Sequence, residues 1–335
     1  MNALNLQVIT STYNWLEQGD RVFFITVLNT WGASPRPVGS LLAYNLDKNK
    51  QVGSLSGGCI ENDLFDFLKE FSCNPVNNTT TFLTKIYGNT REESARYLLP
   101  CGGKVELLIE PIFDSFCHQH FFALKEALIS HRSIARSLDL SNPFIRRYSL
   151  VYGEMVSGKE ELIYNKRSNQ LYHRLDPSYR LLLVGMGDVT LYLSEFAETL
   201  GFDVTICEPR VEYIKRFQVE NLHYKISSEL PDDLVRHSFA DSFSAILCLA
   251  HDPKLDDMAL MEALVNSDAF YIGAMGSIKT SQNRFERLKR LGLTQQQLAC
   301  LHAPIGLDIH SKTPQEIAVA ISAELIASRY QHLSK

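Results

Sequence analysis

The sequence contains no Cys-x-x-Cys pair, although it has seven cysteines. The most specific spacing of a protein zinc site is therefore missing. An odd number of scattered cysteines also does not fit a disulfide framework, which is typical of small secreted proteins. We therefore expect a reducing, cytoplasmic environment.

Long apolar stretches and an excess of positive charge are missing as well. No run approaches the roughly 20 apolar residues that span a bilayer, and residues 1–20 lack the basic start and apolar centre of a signal peptide. With 33 basic and 38 acidic residues, the formal charge is −5. This balance gives no general electrostatic reason to bind nucleic acid or an anionic membrane, so we expect neither as a partner.

What is present is an ordinary globular composition, with 45% hydrophobic and 21% charged residues in a chain of 335. Such a length has room for two domains at about 150 residues each. The periodicity predicts an α/β protein with three segments. These are a smaller α+β domain over residues 1–115, a helix and β-rich connector over 116–176, and a parallel-sheet domain over 177–335.

The clearest pattern lies at the start of the C-terminal segment. A strand over 179–184 is followed by Gly185-Met186-Gly187, a helix, a second strand and Glu208. This order is the dinucleotide-binding arrangement, in which a helix N-terminus takes a phosphate and the acidic residue meets a ribose hydroxyl. We therefore predict a Rossmann-like C-terminal domain, with Gly185, Gly187 and Glu208 as binding residues for NAD(P) or another nucleotide.

Two later strands of this domain also end in polar loops. One ends at His251, which is either a general base or an ordinary loop histidine. The other leads into a glycine loop that contains Gly273, Gly276, Ser277 and Lys279. Open α/β sheets bind ligands at the carboxyl ends of their strands, so we add these four residues to the predicted cofactor site.

The N-terminal segment carries a different motif, a diglycine followed by a cysteine. Gly57 and Gly58 permit backbone angles that turn several N–H groups toward one point. Cys59 follows in the first turn of a predicted helix, where the helix dipole favours a thiolate. Glu61 follows two residues later, and we predict that all four of these residues bind the ligand. The loop suits an anion, a soft metal centre or a transferable sulfur. A buried cysteine behind a tight turn is an equally good interpretation.

Two further loops in this segment have residues suited to ligand binding. Cys101-Gly102-Gly103 repeats the cysteine and diglycine in reverse order, just before a strand. If the fold brings Cys59 and Cys101 together, the pocket offers two soft ligands; otherwise each diglycine is only a tight turn. Arg36 lies between two prolines and is suited to a fixed contact with a phosphate or carboxylate, although a solvated loop arginine is as common.

Together these motifs resemble the XdhC/CoxI family, the accessory factors of xanthine dehydrogenase and related molybdenum hydroxylases. The resemblance covers most of the chain and includes the Gly185 turn. Its other stretches are the loop over 30–40 with SPRPVGS at 34–40, GSLSGGCIE at 53–61, CGGKVELLIEP at 101–111, YIGAMGSIKT at 271–280, and HAPIGLDI at 302–309 followed by TPQEIA at 313–318.

The resemblance implies a factor that binds the molybdenum cofactor, molybdopterin, and has no turnover of its own. Such a factor holds the cofactor while a cysteine desulfurase places the terminal sulfur, and then passes it to a xanthine dehydrogenase-type molybdoenzyme. It also implies a homodimer. On this basis Cys59 and Cys101 would contact molybdenum or sulfur, and Arg36, Lys104 and Lys279 would meet the pterin phosphate.

Two positions depart from the family pattern. The family commonly has GAGH at the Gly185 turn, where this chain has Asp188, and an acidic residue there repels a pyrophosphate. Ile278 replaces one of two basic residues in the later glycine loop. Two other hypotheses stay open: a nicotinamide-dependent oxidoreductase that uses the glycine turn, and a sulfur carrier with a persulfide on Cys59.

Overall fold

The computed structural model describes ten stretches of the chain: residues 2–32, 36–58, 60–74, 81–90, 93, 103–113, 116–145, 147–152, 161–216 and 224–333. The predictions made for Cys59, Cys101 and Gly102 lie outside these residues. The chain divides into two compact units, Met1–Pro177 and Ser178–Lys335. We call them the N-terminal unit and the C-terminal unit, and each is described by itself.

A five-stranded antiparallel sheet forms the centre of the N-terminal unit. Its strand order is β3-β2-β1-β5-β4. Its strands and the helices around it are α1 (Asn2–Glu17), β1 (Val22–Trp31), β2 (Leu41–Asn45), β3 (Lys50–Gly53), α2 (Glu61–Cys73), β4 (Leu83–Tyr87), β5 (Lys104–Ile112) and α3 (Phe116–Ile129).

Both faces of this sheet are covered, as the apolar run of β1 predicts. Phe24 packs with α1 and α3 in one apolar cluster. Its neighbours Phe23 and Ile25 pack with α2 in another. Successive side chains of a strand point to opposite faces, so β1 needs apolar residues at nearly every position.

Residues predicted as a connector over 116–176 supply α3 and a second, four-stranded antiparallel sheet within the N-terminal unit. Its order is β7-β6-β9-β8. The strands are β6 (Ile134–Asp139), β7 (Tyr148–Tyr152), β8 (Leu162–Asn165) and β9 (Gln170–Leu175).

The C-terminal unit is built on a six-stranded parallel sheet in the order β12-β11-β10-β13-β14-β15. This is the strand order of the dinucleotide-binding fold, so the predicted α/β fold class is confirmed. The elements are β10 (Arg180–Val184), α4 (Asp188–Thr199), β11 (Asp203–Cys207), α5 (Val211–Arg216), β12 (Lys225–Ser227), α6 (Pro231–Ser238), β13 (Ser244–Cys248), α7 (Pro253–Asn266), β14 (Tyr271–Ala274), α8 (Ile278–Arg290), α9 (Gln295–Leu298), β15 (Leu301–His302) and α10 (Pro314–Leu333).

Helices cover both faces of the parallel sheet. Leu182 and Val184 of β10 pack with α6, α7 and α8. Leu181 and Leu183 pack on the opposite face with α4 and α10. Among the helices that the structure describes, none is long and apolar enough to cross a membrane.

Candidate functional site

Three connections that carry the sequence motifs lie at one end of the five-stranded sheet. Antiparallel pairing fixes this arrangement, because neighbouring strands run in opposite directions. Trp31, the last residue of β1, pairs with Lys104, the first residue of β5. Gly53 at the end of β3 pairs with Leu42 of β2. Tyr87 at the end of β4 pairs with β5 one residue after Lys104. The connections β1–β2, β3–α2 and β4–β5 therefore lie at the same end of the strands, and we call this end the motif-bearing edge of the sheet.

The diglycine connection is organised by Glu61, the first residue of α2. One carboxylate oxygen accepts hydrogen bonds from the Leu55 and Ser56 amides at 3.1 and 3.0 Å. The other accepts from the Gly58 and Ile60 amides at 3.1 and 3.2 Å. The hydroxyl of Ser56 also donates to it. The N–H groups of this loop do converge on one point, and that point is the protein's own carboxylate.

This network explains why the loop needs glycine and a buried acid. Gly57 and Gly58 have φ values of 77° and 110°, which glycine adopts without strain. Glu61 is only 4% exposed. Burial raises the pKa of a carboxyl, but the hydrogen bonds from Ser56 and the backbone amides outweigh it and hold the pKa of Glu61 below its ordinary value. Within the described residues, Glu61 therefore holds the loop in place.

Two more predicted residues lie in the other connections at this edge. Arg36 is in the β1–β2 connection and is partly buried. Gly103 is buried immediately before β5. Lys104 donates to the side-chain oxygen of Asn89 at 2.8 Å, which joins β5 to the residues after β4.

The two buried thiols of the C-terminal unit are not reactive candidates. Burial raises the pKa of Cys207 to about 12 and raises that of Cys248 well above its ordinary value. A thiol that stays protonated is a poor nucleophile and a poor metal ligand. In the described stretches, no group of three histidine, cysteine or acidic residues is placed to hold a metal ion.

The C-terminal unit has a cleft of about 480 Å³ at the carboxyl ends of β10 and β13. The strand order reverses between these two strands, and open α/β sheets bind ligands at that point. The cleft is lined by Met186, Gly187, Asp188, Val189, Thr190, Tyr213, Leu249, Ala250, His251, Met275 and Pro314.

The two glycines of the predicted fingerprint have different roles in this cleft. Gly185 has φ of 99°, and a Cβ there would lie 2.3 Å from the Cα of Ala250. A glycine is therefore required for the close approach of β10 to the chain after β13. Gly187 precedes α4 and faces open space. Asp188 is the first residue of α4 and lines the cleft, so it brings a negative charge to the helix end where a dinucleotide would place its diphosphate.

Glu208 follows β11 as predicted, but its carboxylate is already engaged. It is fully buried and accepts a hydrogen bond from the Met186 amide at 2.9 Å. The guanidinium of Arg210 donates to both of its oxygens at 2.7 and 2.8 Å. Arg210 also lies 3.5 Å from Asp252. Sequence reasoning did not single out Arg210, although its position two residues after the acid was a signal.

In the second glycine loop, neighbouring side chains fill the space around Gly273 and Gly276. A Cβ on Gly273 would lie 2.6 Å from the Ile305 side chain, and one on Gly276 would lie 3.0 Å from Thr280. The Ser277 hydroxyl caps α8 by accepting from the Thr280 amide at 3.1 Å. Lys279 is exposed at the start of that helix.

Two arginines of α8 pair with acids of α7. Arg284 is buried, donates to Asp256 at 3.0 Å, and donates to the Met275 carbonyl at 3.1 Å. Arg287 pairs with Asp257 at 2.8 Å. These two side chains therefore hold α8 against α7.

Similarity to known proteins covers both units. Residues 181–325 match the XdhC Rossmann domain, and residues 15–71 match the XdhC and CoxI family. A probable xanthine dehydrogenase subunit of Bacillus subtilis is 23% identical over 327 residues, which is 94% of this chain and 95% of its own. The molybdenum cofactor insertion chaperone PaoD of Escherichia coli is 21% identical over 324 residues, 94% of this chain and 85% of its own.

A solved structure also matches nearly the whole chain. It is the crystal structure of a xanthine dehydrogenase from Bacillus halodurans, with a TM-score of 0.71 at 25% identity. The match covers 99% of this chain and 96% of that one. The motifs, the strand order and these similarities agree, and the chain belongs to the XdhC and CoxI family.

Proposed function

We propose that this protein is an accessory factor that binds the molybdenum cofactor and delivers it to a xanthine dehydrogenase-type molybdoenzyme. The observation that carries the proposal is the convergence of the three motif-bearing connections at one edge of the five-stranded sheet. The relative PaoD, a molybdenum cofactor insertion chaperone, supports the same role.

The residues at this edge fit such a cargo. Molybdopterin combines a flat heterocycle, a phosphate and two sulfur ligands of the metal. Arg36 and Lys104 supply positive charge for the phosphate. The diglycine turn faces open space, since a Cβ on Gly57 or Gly58 would meet no atom within 4 Å. Cys59, in the same loop by sequence, and Cys101 are the proposed contacts to molybdenum or sulfur.

In this proposal the bound group supplies the metal centre that the client enzyme uses, and the protein itself performs no turnover. Glu61 orients the diglycine loop by fixing its amides. A cysteine desulfurase is proposed to add the terminal sulfur while the cofactor is held, and a homodimer is the proposed assembly.

The test is anaerobic binding of molybdenum cofactor, measured as molybdenum and pterin retained after gel filtration. We expect the wild type to retain both, and we expect Cys59→Ala and Cys101→Ala to lose most of them. Cys73→Ala is the matched control, because Cys73 is an exposed thiol at the end of α2. No retention by the wild type, or full retention by both cysteine variants, would refute the proposed site.

A second candidate is an NAD(P)-binding oxidoreductase that uses the cleft of the C-terminal unit. The cleft lies at the position where this fold binds dinucleotides. Two features weigh against it. Asp188 brings a negative charge to the helix end that would bind the diphosphate. Arg210 donates hydrogen bonds to the carboxylate of Glu208, which would otherwise accept from a ribose hydroxyl. Titration calorimetry with NADH and NADPH separates the two candidates. We expect no saturable binding at millimolar cofactor, and submillimolar binding would favour the oxidoreductase.

The sulfur-carrier hypothesis differs from the cofactor-binding proposal only in what the protein carries, which is a persulfide on Cys59 in place of the cofactor. After exposure to a cysteine desulfurase and cysteine, the intact mass of a carrier increases by one sulfur atom without any cofactor present. We expect no such increase in the cofactor-free protein, and its appearance, with loss in Cys59→Ala, would support the carrier.

A further inference from the structure

An exposed tryptophan lies at the same edge of the five-stranded sheet as the three motif-bearing connections. Trp31 is the last residue of β1 and its side chain is 43% exposed. It lies in the 30–40 stretch of the family resemblance, where only Arg36 was assigned a role in ligand binding. Large aromatic side chains usually contribute most when buried, so a half-exposed indole beside a candidate ligand site needs an explanation.

Two lysines lie over this indole and make cation–π contacts with its ring. The ammonium of Lys104 lies 5.0 Å from the ring centroid, and that of Lys166 lies 5.9 Å from it. Lys104 is the cross-strand partner of Trp31 in the β1–β5 ladder. Lys166 comes from the turn between β8 and β9, in the other sheet of the same unit. The two sheets therefore place positive charge around one aromatic surface.

A β-bulge determines which side chains share this face of the β1–β5 pair. The register of β1 against β5 shifts between Val27 and Asn29. Bulges re-aim side chains, and after this one Asn29 and Trp31 face Glu106 and Lys104 across the ladder. Asn29 donates to Glu106 at 2.7 Å, and Lys166 donates to both oxygens of Glu106 at 3.0 and 2.9 Å. Glu106 thus holds the lysine next to the indole.

The charges of this cluster suit a phosphorylated aromatic ligand. Two ammonium groups and one carboxylate leave one net positive charge. Glu106 is buried, with 8% of its side chain exposed, whereas 56% of the Lys166 side chain is exposed. The cluster therefore presents its cationic side to solvent and keeps its anionic side inside. An indole face stacks on a flat heterocycle, and ammonium groups attract a phosphate that carries nearly two negative charges at neutral pH.

We propose that Trp31, Lys104 and Lys166 form a recognition platform for the phosphorylated pterin end of the cofactor, with the indole in contact with the heterocycle and the lysines at its phosphate. This inference rests on the proposed function and adds two residues, Trp31 and Lys166, to which the motifs assigned no role. The ion pair with Glu106 positions Lys166 and also competes with the ligand for it.

The two tryptophans of the chain give a direct readout. Trp15 lies in α1 and is partly buried in the apolar cluster there, so Trp15→Phe leaves Trp31 as the single tryptophan. The probes are molybdenum cofactor released anaerobically from a molybdoenzyme, a metal-free pterin monophosphate, and the same pterin without phosphate. We expect saturable quenching of Trp31 by the first two probes and weaker binding of the third.

Opposite effects of the two charge-neutralising variants distinguish recognition from a structural role. Lys166→Gln should weaken binding of pterin monophosphate about tenfold, because it removes a charged contact. Glu106→Gln should strengthen it about threefold, because it releases Lys166 for the phosphate while Asn29 keeps a hydrogen-bond acceptor. If the cluster only stabilised the fold, both variants would weaken binding. Lys125→Gln is the matched control, since Lys125 lies 4.7 Å from the ring of Tyr13 on α1.

The possible outcomes test the platform and the proposed function separately. Cofactor retained by the wild type but equally by Trp31→Ala and Lys166→Gln would overturn the platform and leave the proposed function intact. Quenching by pterin monophosphate without retention of the metal-containing cofactor would refute the proposed function and support the platform. Absence of binding by every probe would overturn both.

Discussion

Replacing Glu61 with glutamine removes the charge on which the diglycine loop is organised. The carboxylate accepts from four backbone amides and from the hydroxyls of Ser54 and Ser56. A glutamine side chain has nearly the same shape, but one of its two acceptors becomes an amide nitrogen that cannot accept. Whichever way the amide turns, two or more donors of the loop lose their partner.

The expected decrease in the free energy of unfolding follows from the number of hydrogen bonds that Glu61→Gln loses. A hydrogen bond to a charged group contributes about 1.5 kcal/mol at the low end, so two of them give about 3 kcal/mol. At a urea dependence of about 2 kcal/mol per molar, the unfolding midpoint should fall by about 1.5 M. We also expect cofactor binding at this edge to weaken, because the loop loses its fixed geometry.

Tryptophan fluorescence measures this change in the N-terminal unit alone, because both tryptophans, Trp15 and Trp31, belong to it. Glu70→Gln is the control, since Glu70 is an exposed residue of the same helix. A midpoint for Glu61→Gln within a few tenths molar of the Glu70→Gln value would refute the account of the loop given above.

The pH dependence has a definite sign. The folded pKa of Glu61 lies below its ordinary value of 4.5. The ionised carboxylate therefore stabilises the folded state above pH 4.5, and this contribution is lost as the pH falls through the folded pKa. The difference in midpoint between wild type and Glu61→Gln should accordingly shrink below pH 4.5.

Two further predictions concern other buried groups. Burial, with Arg136 nearby, lowers the pKa of His173 from 6.5 to about 3, so the unfolded state binds a proton that the folded state resists. As the pH drops from 6.5 toward 3, the wild-type N-terminal unit should lose stability relative to His173→Gln, and the difference between their urea midpoints should change steadily over that range. In the C-terminal unit, Glu324 accepts hydrogen bonds from Tyr271 at 2.6 Å and His302 at 2.7 Å. Glu324→Ala should therefore cost about 3 kcal/mol, measured by circular dichroism melting.

Each of these two predictions has its own control. A pH profile for His173→Gln that is parallel to the wild type between pH 6.5 and 4.5 would contradict the first, since Glu61 titrates only below that range. Glu286→Ala changes an exposed glutamate of α8 and should leave the melting temperature unchanged. Equal melting of Glu324→Ala and Glu286→Ala would contradict the second.

The C-terminal fold was predictable because its signals are local. Buried parallel strands need nearly continuous apolar runs, and Gly185 stands where β10 approaches Ala250. The turn, the helix and the acid follow one another within one short segment of chain.

The contacts of the predicted binding residues were less predictable, because they depend on which partner each hydrogen-bonding group finds in the folded chain. The amides of the diglycine loop were expected to face a ligand, and they face Glu61. Glu208 was expected to meet a ribose, and its carboxylate is held by Arg210. A sequence pattern indicates that a donor or acceptor is present, but several partners compete for it, and packing decides which is close enough.

The sequence by itself determined the fold class, because periodicity and glycine turns act over short stretches of chain. Its motif stretches carried the resemblance by which the family was identified. Only the tertiary structure decided that the three motif-bearing connections share one edge, and that Lys166 reaches Trp31 from another sheet. These arrangements depend on the pairing register of strands far apart in the chain. A shift of one residue would turn each side chain to the opposite face, and the sequence near Trp31 does not specify its distant partners.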